Sequence, residues 1–170
     1  FSDILMIPYG LGQHVEFKKD FGPILNEIDI NRFKKIRELD FTNTLLPVYE
    51  SMKIISKNEI VNNKDVIGFV GAPWTLLVYM LNKKSPKKDL NKELLKDKNQ
   101  IDKLLNIINK FLKIHIKNQI DSGASIIQIF DSWAGLVNEK NLNQYIYLPT
   151  LDLVNFTKSL NVPVICFPRN

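Results

Sequence analysis

Polar residues that could take part in chemistry stand beside apolar runs of this sequence. Asp3 lies against an apolar segment that includes Ile4 and Leu5. An ionised carboxylate in such surroundings is costly unless it is paired or faces a cavity. Asp3 is therefore a candidate site residue, and the alternative role is a helix N-cap or a loop-fixing hydrogen bond.

Asp131, Ser132 and Tyr79 offer a similar choice between a chemical and a structural role. Asp131 and Ser132 directly follow an apolar run, where they form either a pair of site residues or a cap for the next helix. Tyr79 stands in a mostly apolar helical segment, so its ring either packs in the core or presents its hydroxyl to a site. The residues alone leave both roles open.

Side chains that bind metal ions or act as nucleophiles are few. His14, His115 and Cys166 are the only imidazole and thiol groups, and none has the paired spacing of a metal site. Ser132 has no histidine nearby in the sequence to serve as the base of a catalytic triad. The sequence therefore predicts a site without a metal ion and disfavours nucleophilic catalysis.

Three short apolar segments are typical of buried parallel strands. They span residues 66–70, 124–130 and 162–167, and each is continuously apolar or nearly so. Such segments suit a parallel sheet that is covered on both faces. Residues 1–5, which include Asp3, have the pattern of the tail of another strand.

Helical patterns alternate with these strands. Apolar residues recur at i, i+3, i+4 and i+7 over residues 101–112, and Gly123 supplies the left-handed residue that a helix end needs. Further helices are predicted over residues 48–55 and from Pro149 to residue 160, since proline at the first helical position loses no hydrogen bond. This alternation indicates βαβ units with parallel strands.

The predicted fold class is α/β, with about half of a (β/α)8 TIM barrel present. No Gly-x-Gly-x-x-Gly turn follows a strand, so the fingerprint of the doubly wound dinucleotide-binding class is missing. Polar or structured turns follow the strands instead, and the carboxyl ends of barrel strands carry the chemistry. The 170 residues fall short of the roughly 250 of a typical barrel, so residues 1–170 are predicted to form a single incomplete domain.

Composition excludes several broad classes of function. The net charge of +5 comes almost wholly from scattered lysines, whereas nucleic-acid-binding surfaces favour arginine interleaved with aromatic residues. The longest uncharged apolar stretch, residues 67–81, is shorter than the roughly 20 residues that span a bilayer. We therefore expect no nucleic-acid partner and no membrane span. A single cysteine fits a reducing compartment.

Several blocks of the sequence share residues, order and spacing with one known family. The main blocks are Phe1-Ser2-Asp3-Ile4-Leu5, Gly71-Ala72-Pro73-Trp74-Thr75 and Asp131-Ser132-Trp133-Ala134-Gly135. Shorter matches are Ile7-Pro8, Leu11-Gly12, Gly22-Pro23 and Tyr79-Met80. Over essentially the whole chain, this pattern resembles uroporphyrinogen decarboxylase.

The resemblance implies an eight-stranded β/α barrel that works as a homodimer without a metal ion or organic cofactor. That family converts the four acetate side chains of uroporphyrinogen to methyl groups, giving coproporphyrinogen on the path to haem. A pyrrole protonated at the ring carbon becomes the electron sink that decarboxylation needs. The implied protein is a carboxy-lyase with a tetrapyrrole substrate, located in the cytoplasm or a plastid and not secreted.

The same resemblance assigns roles to three residues. Asp3 would accept hydrogen bonds from the pyrrole N–H groups, and its negative charge would stabilise the cationic intermediate. The hydroxyls of Tyr79 and Ser132 would bind substrate, at its carboxylates or near the reacting ring. One departure concerns residues 82–88, which are rich in lysine where the family usually has glycines.

Two other interpretations stay open. A zinc-dependent methyltransferase of the related superfamily would have His-x-Cys after the strand over residues 162–167, where Phe167 and Arg169 stand instead. A non-catalytic fragment is the second, because half a barrel exposes two sheet edges. The family also takes the arginines that bind substrate carboxylates from a segment N-terminal to Phe1. The isolated segment is therefore expected to be inactive.

Overall fold

The computed structural model describes residues 3–86 and 96–169, in which helices and strands alternate. The strands are β1 (Val15–Lys18), β2 (Gly22–Leu25), β3 (Ile67–Gly71), β4 (Ile126–Asp131) and β5 (Val164–Pro168). The helices are α1 (Met6–Gly10), α2 (Ile30–Lys35), α3 (Glu38–Thr44), α4 (Leu46–Ser56), α5 (Pro73–Asn82), α6 (Lys98–Asp121) and α7 (Leu148–Ser159). The α/β class predicted from the sequence is confirmed.

The main sheet is parallel and has the strand order β3-β4-β5. Each of the three predicted strands is present, beginning one or two residues later than expected and ending one residue later. The predicted strand tail at the N-terminus is wrong for Asp3, Ile4 and Leu5, which form a turn into α1 because Asp3 accepts a hydrogen bond from the Leu5 N–H. Phe1 and Ser2 lie outside the described residues.

Helices α5, α6 and α7 cover one face of this sheet and contact β4, β3 and β5 respectively. Ile127 and Ile129 of β4 point to this face and are buried. Gly68 of β3 permits a close approach of α6, because a Cβ there would lie 2.9 Å from the Gln119 side-chain oxygen. The three helices and this sheet face therefore form the core that fixes the strand ends.

The opposite face of the sheet carries a row of aromatic rings. Phe130 lies in edge-to-face contact with Phe69 on one side and with Phe167 on the other, at ring centroid distances of 6.0 and 6.1 Å. Phe167 is more than half exposed. None of α5, α6 and α7 covers this face, since successive residues of a strand point to opposite sides of the sheet.

An antiparallel hairpin, β1 and β2, stands apart from the main sheet and was not predicted. Asp20 and Gly22 adopt left-handed backbone conformations in its turn, with φ of 68° and 77°. The hairpin is tied to the end of α5 by a hydrogen bond from the Leu25 N–H to the Lys83 carbonyl, 2.8 Å long. The segment after α1 is thereby held against α5.

The side chain of Gln119 occupies the free edge of β3. Val66 and Ala72 make backbone hydrogen bonds towards the β4 side, so Phe69 between them directs its backbone groups away from β4. Gln119 accepts from the Phe69 N–H at 3.0 Å and donates to the Phe69 carbonyl at 3.2 Å. Both polar backbone groups of Phe69 are therefore satisfied.

Helix α6 is the longest helix of the described residues and ends at Asp121, two residues before Gly123, whose φ is +108°. Its buried face includes His115, which is 2% exposed and whose Nδ1 lies 2.9 Å from the Tyr49 hydroxyl. Burial lowers the pKa of His115 to about 4, because a charged imidazolium would lose its hydration.

No helix in residues 3–86 and 96–169 is both long and apolar enough to cross a membrane.

We expect stability to fall as the pH decreases from 6.5 to 4 because of His115. In this window the unfolded state binds a proton at His115 that the folded state excludes, so acid favours unfolding. With a folded pKa of about 4, the loss amounts to about 3 kcal/mol. Urea unfolding at pH 7 and pH 4 should show a smaller loss in His115→Gln than in the unchanged protein.

The matched control for this measurement is His14→Gln, which removes the other, exposed histidine. His14→Gln should keep the pH dependence of the unchanged protein. The same pH dependence in His115→Gln would contradict the assignment.

Candidate functional site

Two loops that leave neighbouring strands meet at the carboxyl edge of the main sheet. β3 leads directly into α5, whose second residue is Trp74, and β4 leads into Ser132 and Trp133. The Trp74 indole donates to the Trp133 carbonyl at 3.1 Å, and its ring stacks on Tyr145 at a centroid distance of 5.5 Å. The β4 loop is thus fastened to the first turn of α5.

Tyr79 lies on α5 with its ring in edge-to-face contact with Trp133, at a centroid distance of 5.9 Å. Its side chain is only partly buried, so the ring packs against the core while the residue keeps some exposure. Burial raises the pKa of the Tyr79 hydroxyl, donors on Trp133 and Ser85 oppose the rise, and the negative charge of Asp3 adds to it. Asp3 and Tyr79 are therefore close enough to interact electrostatically.

Asp3 is partly buried and precedes α1. Its Oδ1 accepts a hydrogen bond of 2.8 Å from the Leu5 N–H, which is the loop-fixing role considered from the sequence. Its Oδ2 accepts no hydrogen bond from any residue in 3–86 or 96–169. One carboxylate oxygen thus holds the turn, and the other is available to a ligand.

Ser132 follows the last residue of β4 and is partly buried. Its hydroxyl makes no hydrogen bond within the described part of the chain. The charge of Asp3 acts on the pKa of Tyr79, and Ser132 is linked to Tyr79 through its chain neighbour Trp133, whose ring touches that of Tyr79. No hydrogen bond joins the Ser132 side chain to Asp3 or Tyr79 among these residues.

Asp131 has a structural position behind the loop. It is 4% exposed, and its Oδ1 accepts a hydrogen bond of 2.7 Å from the Thr75 hydroxyl, which in turn accepts from the Trp133 N–H at 3.1 Å. Burial raises the pKa of the Asp131 carboxyl, and the bond from Thr75 opposes the rise. The chain Asp131–Thr75–Trp133 ties β4, α5 and the loop together.

The sequence did not assign a role to Thr75. Its block, Gly71-Ala72-Pro73-Trp74-Thr75, stands out for the resemblance that it carries, yet nothing in the residues alone pairs Thr75 with Asp131, 56 positions later. The available signal was the position of Thr75 in the first turn after a strand, where its hydroxyl lies beside the end of the neighbouring strand. Its complete burial confirms that the hydroxyl is part of the core.

The lysine-rich departure over residues 82–88 includes Lys83, the C-cap of α5. Lys83 adopts a left-handed conformation with φ of 59°, which glycine takes at less cost. The hairpin stabilises it, since the Lys83 carbonyl accepts from Leu25 and its ammonium group pairs with Glu27. Residues 87–88 of this predicted departure lie outside the described residues.

A cavity of about 670 Å3 lies between the hairpin, α2 and the end of α5. Gln13, Arg32 and Lys83 are among the residues that line it, whereas Asp3, Tyr79 and Ser132 are not.

The residues of 3–86 and 96–169 contain no group of three or more histidine, cysteine, aspartate or glutamate side chains placed to hold a metal ion.

Comparison with known proteins gives one family. A sequence model described as uroporphyrinogen decarboxylase matches residues 1–170. Uroporphyrinogen decarboxylase from Rickettsia bellii is 37% identical over 174 residues, covering 99% of this chain and 51% of that protein. Uroporphyrinogen decarboxylase from Rickettsia felis is 35% identical over 173 residues, covering 99% of this chain and 50% of that protein. The chain spans about half the length of these curated relatives.

A solved structure shares the fold. The backbone is similar to that of a methyltransferase from Methanosarcina mazei, with a TM-score of 0.73 and 16% identity. The similarity covers all of this chain and 50% of the methyltransferase.

Proposed function

Because the chain belongs to the uroporphyrinogen decarboxylase family, we propose that the protein containing it removes the carboxyl groups from the four acetate side chains of uroporphyrinogen. The product is coproporphyrinogen. The observation that carries this proposal for the site is the Asp3 carboxylate, whose Oδ2 accepts no hydrogen bond from residues 3–86 or 96–169 and whose negative charge acts on the hydroxyl of Tyr79. Within these described residues, no internal donor competes with a cationic ligand for this oxygen.

The proposed reaction takes its electron sink from the substrate. Protonation of a pyrrole ring carbon that bears an acetate gives a cation, and loss of carbon dioxide returns the electron pair to the ring and leaves an exocyclic methylene. A proton added to this methylene and loss of the proton from the ring carbon give the methyl group, so no cofactor is needed. Asp3 accepts hydrogen bonds from the pyrrole N–H groups and stabilises this cation. The charge is fixed beforehand, since Oδ1 is already bonded to the Leu5 N–H.

We further propose that residues 1–170 supply about half of one (β/α)8 barrel domain, which works as a homodimer. All three helices α5, α6 and α7 lie on one face of the parallel sheet, as in a barrel, whereas a doubly wound sheet carries helices on both faces. The aromatic row of Phe69, Phe130 and Phe167 then faces the barrel interior. Sedimentation of the full-length protein tests the dimer.

The activity is tested by incubating the full-length protein with uroporphyrinogen under reducing conditions. The products, oxidised to porphyrins and separated by chromatography, should lose carboxylates stepwise until four remain. An unchanged octacarboxylate, with a folded protein present, would contradict the proposed function.

Removing the hydroxyl of Tyr79 or Ser132 should weaken the proposed reaction moderately. A hydrogen bond to a charged carboxylate contributes about 1.4 kcal/mol, so Tyr79→Phe and Ser132→Ala should each lower kcat/KM about tenfold. Tyr147→Phe is the matched control, because Tyr147 is an exposed tyrosine at the N-cap of α7. Unchanged kinetics for Tyr79→Phe would indicate that its ring serves packing alone.

Zinc-dependent methyl transfer is the second candidate, and the methyltransferase from Methanosarcina mazei shows that such a fold occurs among methyltransferases. The end of β5 disfavours this candidate, because Phe167 and Arg169 stand at the positions of the His-x-Cys motif and neither side chain is a zinc ligand. Cys166 points to the helix-covered face, where it lines a cavity with Ile129 and Val154. A stoichiometric zinc content that disappears in Cys166→Ser would favour this candidate.

A further inference from the structure

The indole N–H of Trp133 is a buried donor without a partner. Its Nε1 atom is inaccessible to solvent, and no residue in 3–86 or 96–169 accepts its hydrogen in good geometry. A buried unpaired donor costs about 1–3 kcal/mol, so native proteins rarely keep one without a reason. We therefore expect the Trp133 N–H to have a hydrogen-bond acceptor in the working protein.

The position of the Trp133 ring is determined by its backbone. The backbone N–H donates to the Thr75 hydroxyl, and the backbone carbonyl accepts from the Trp74 indole, each at 3.1 Å. Thr75 is itself anchored on the buried Asp131. The backbone N–H and carbonyl of Trp133 are thus both bonded to residues of α5. The Trp133 ring therefore lies against Tyr79, which stands on the same helix.

The ring of Tyr79, whose hydroxyl oxygen can accept a hydrogen bond, lies against Trp133. The two rings meet edge to face, with centroids 5.9 Å apart and planes inclined by 65°. Burial raises the pKa of Tyr79, and Trp133 makes the largest contribution that opposes the rise, as a donor to the phenolic oxygen does. Hydrogen bonds at active sites are often long in the free protein and shorten when a ligand binds.

We propose that Trp133 is a positioning residue for Tyr79: its indole N–H donates to the Tyr79 oxygen, and the Tyr79 proton is thereby directed to a substrate carboxylate. This inference rests on the proposed function. A phenol has one hydrogen to donate, so an N–H that occupies its oxygen turns the O–H outward. The incoming bond also polarises the O–H and makes it a better donor.

The test combines Trp133→Phe, Tyr79→Phe and the double variant in the full-length protein. Loss of the indole bond should lower kcat/KM about fivefold in Trp133→Phe, the equivalent of about 1 kcal/mol. The double variant should be no slower than Tyr79→Phe, because Trp133 acts through the hydroxyl that is already absent. Losses that multiply in the double variant would overturn the proposal.

A titration that does not depend on turnover completes the test. With 13C-labelled tyrosine and the Tyr79→Phe protein to assign the signal, NMR should show a higher Tyr79 pKa in Trp133→Phe than in the unchanged protein, since a donor to the phenolate is lost. An unchanged or lower pKa would overturn the proposed bond. If the full-length protein fails to decarboxylate uroporphyrinogen, the function is refuted, and the titration still decides whether Trp133 bonds to Tyr79.

Discussion

Asp3→Asn should reduce the kcat/KM of the full-length protein for uroporphyrinogen about 10²–10³-fold, nearly as much as Asp3→Ala. Removing one preorganised electrostatic contact to a transition state typically costs this much. Asparagine keeps an oxygen that can accept from the Leu5 N–H at the place of Oδ1, so the turn into α1 survives. The loss in Asp3→Asn therefore measures the charge and not the fold.

Two comparisons decide the role of Asp3. Asp131→Asn is the matched removal of a carboxylate that is buried and already bonded to Thr75, and its activity should stay within a few fold of the unchanged protein. If Asp3→Ala is impaired while Asp3→Asn is fully active, Asp3 serves only the loop. Equal, modest losses for Asp3→Ala and Asp131→Asn would also refute the charge role.

Thr75→Val should destabilise the protein by about 3 kcal/mol, although valine has nearly the same shape. The substitution removes the hydroxyl that donates to the Asp131 Oδ1 and accepts from the Trp133 N–H. The other Asp131 oxygen, Oδ2, is buried and has no partner among the described residues. A buried carboxylate without any hydrogen bond is far more costly than a lost methyl contact. Urea unfolding of the two proteins gives the difference.

The pH dependence of that difference identifies Asp131 as its source. The folded pKa of Asp131 lies above the unfolded value, and losing the Thr75 bond raises it further. Between the two values the folded state holds more protons, so stability falls as the pH rises, and more steeply in Thr75→Val. The difference should therefore shrink as the pH is lowered. Thr75→Ser keeps the hydroxyl and should lose less stability than Thr75→Val. A loss in Thr75→Val that does not change with pH would contradict the role of Asp131.

The sequence predicted the elements whose patterns are local and strong. The three strands of the main sheet are short apolar runs, and α6 has a long apolar face and is followed by Gly123. Such patterns depend on burial alone, so they can be found without knowing the neighbours. The hairpin was missed although Val15 to Lys18 alternates and a Gly22 turn follows, because β1 is largely exposed and its alternation therefore carries no strong apolar run.

The residues alone predicted Asp3 and Ser132 beside apolar runs and Tyr79 within an apolar helical segment, each with a structural alternative. The connections of the candidate site depend on pairs far apart in the chain, such as Thr75 with Asp131 and Tyr79 with Trp133. No local pattern encodes such a pair, because each partner alone looks like an ordinary core or cap residue. The family resemblance named Asp3, Tyr79 and Ser132, and their roles in the reaction stay predictions until the variants are measured.

The side chain of Gln119 imitates one residue of a neighbouring strand. It already satisfies the N–H and the carbonyl that Phe69 directs away from β4. A strand that adds to this edge at Phe69 must first displace the amide, and it then replaces two hydrogen bonds with two others. Strand pairing at Phe69 therefore gains no net backbone hydrogen bonds. A strand that pairs with this edge must be stabilised by its side-chain packing, so the edge resists non-specific aggregation.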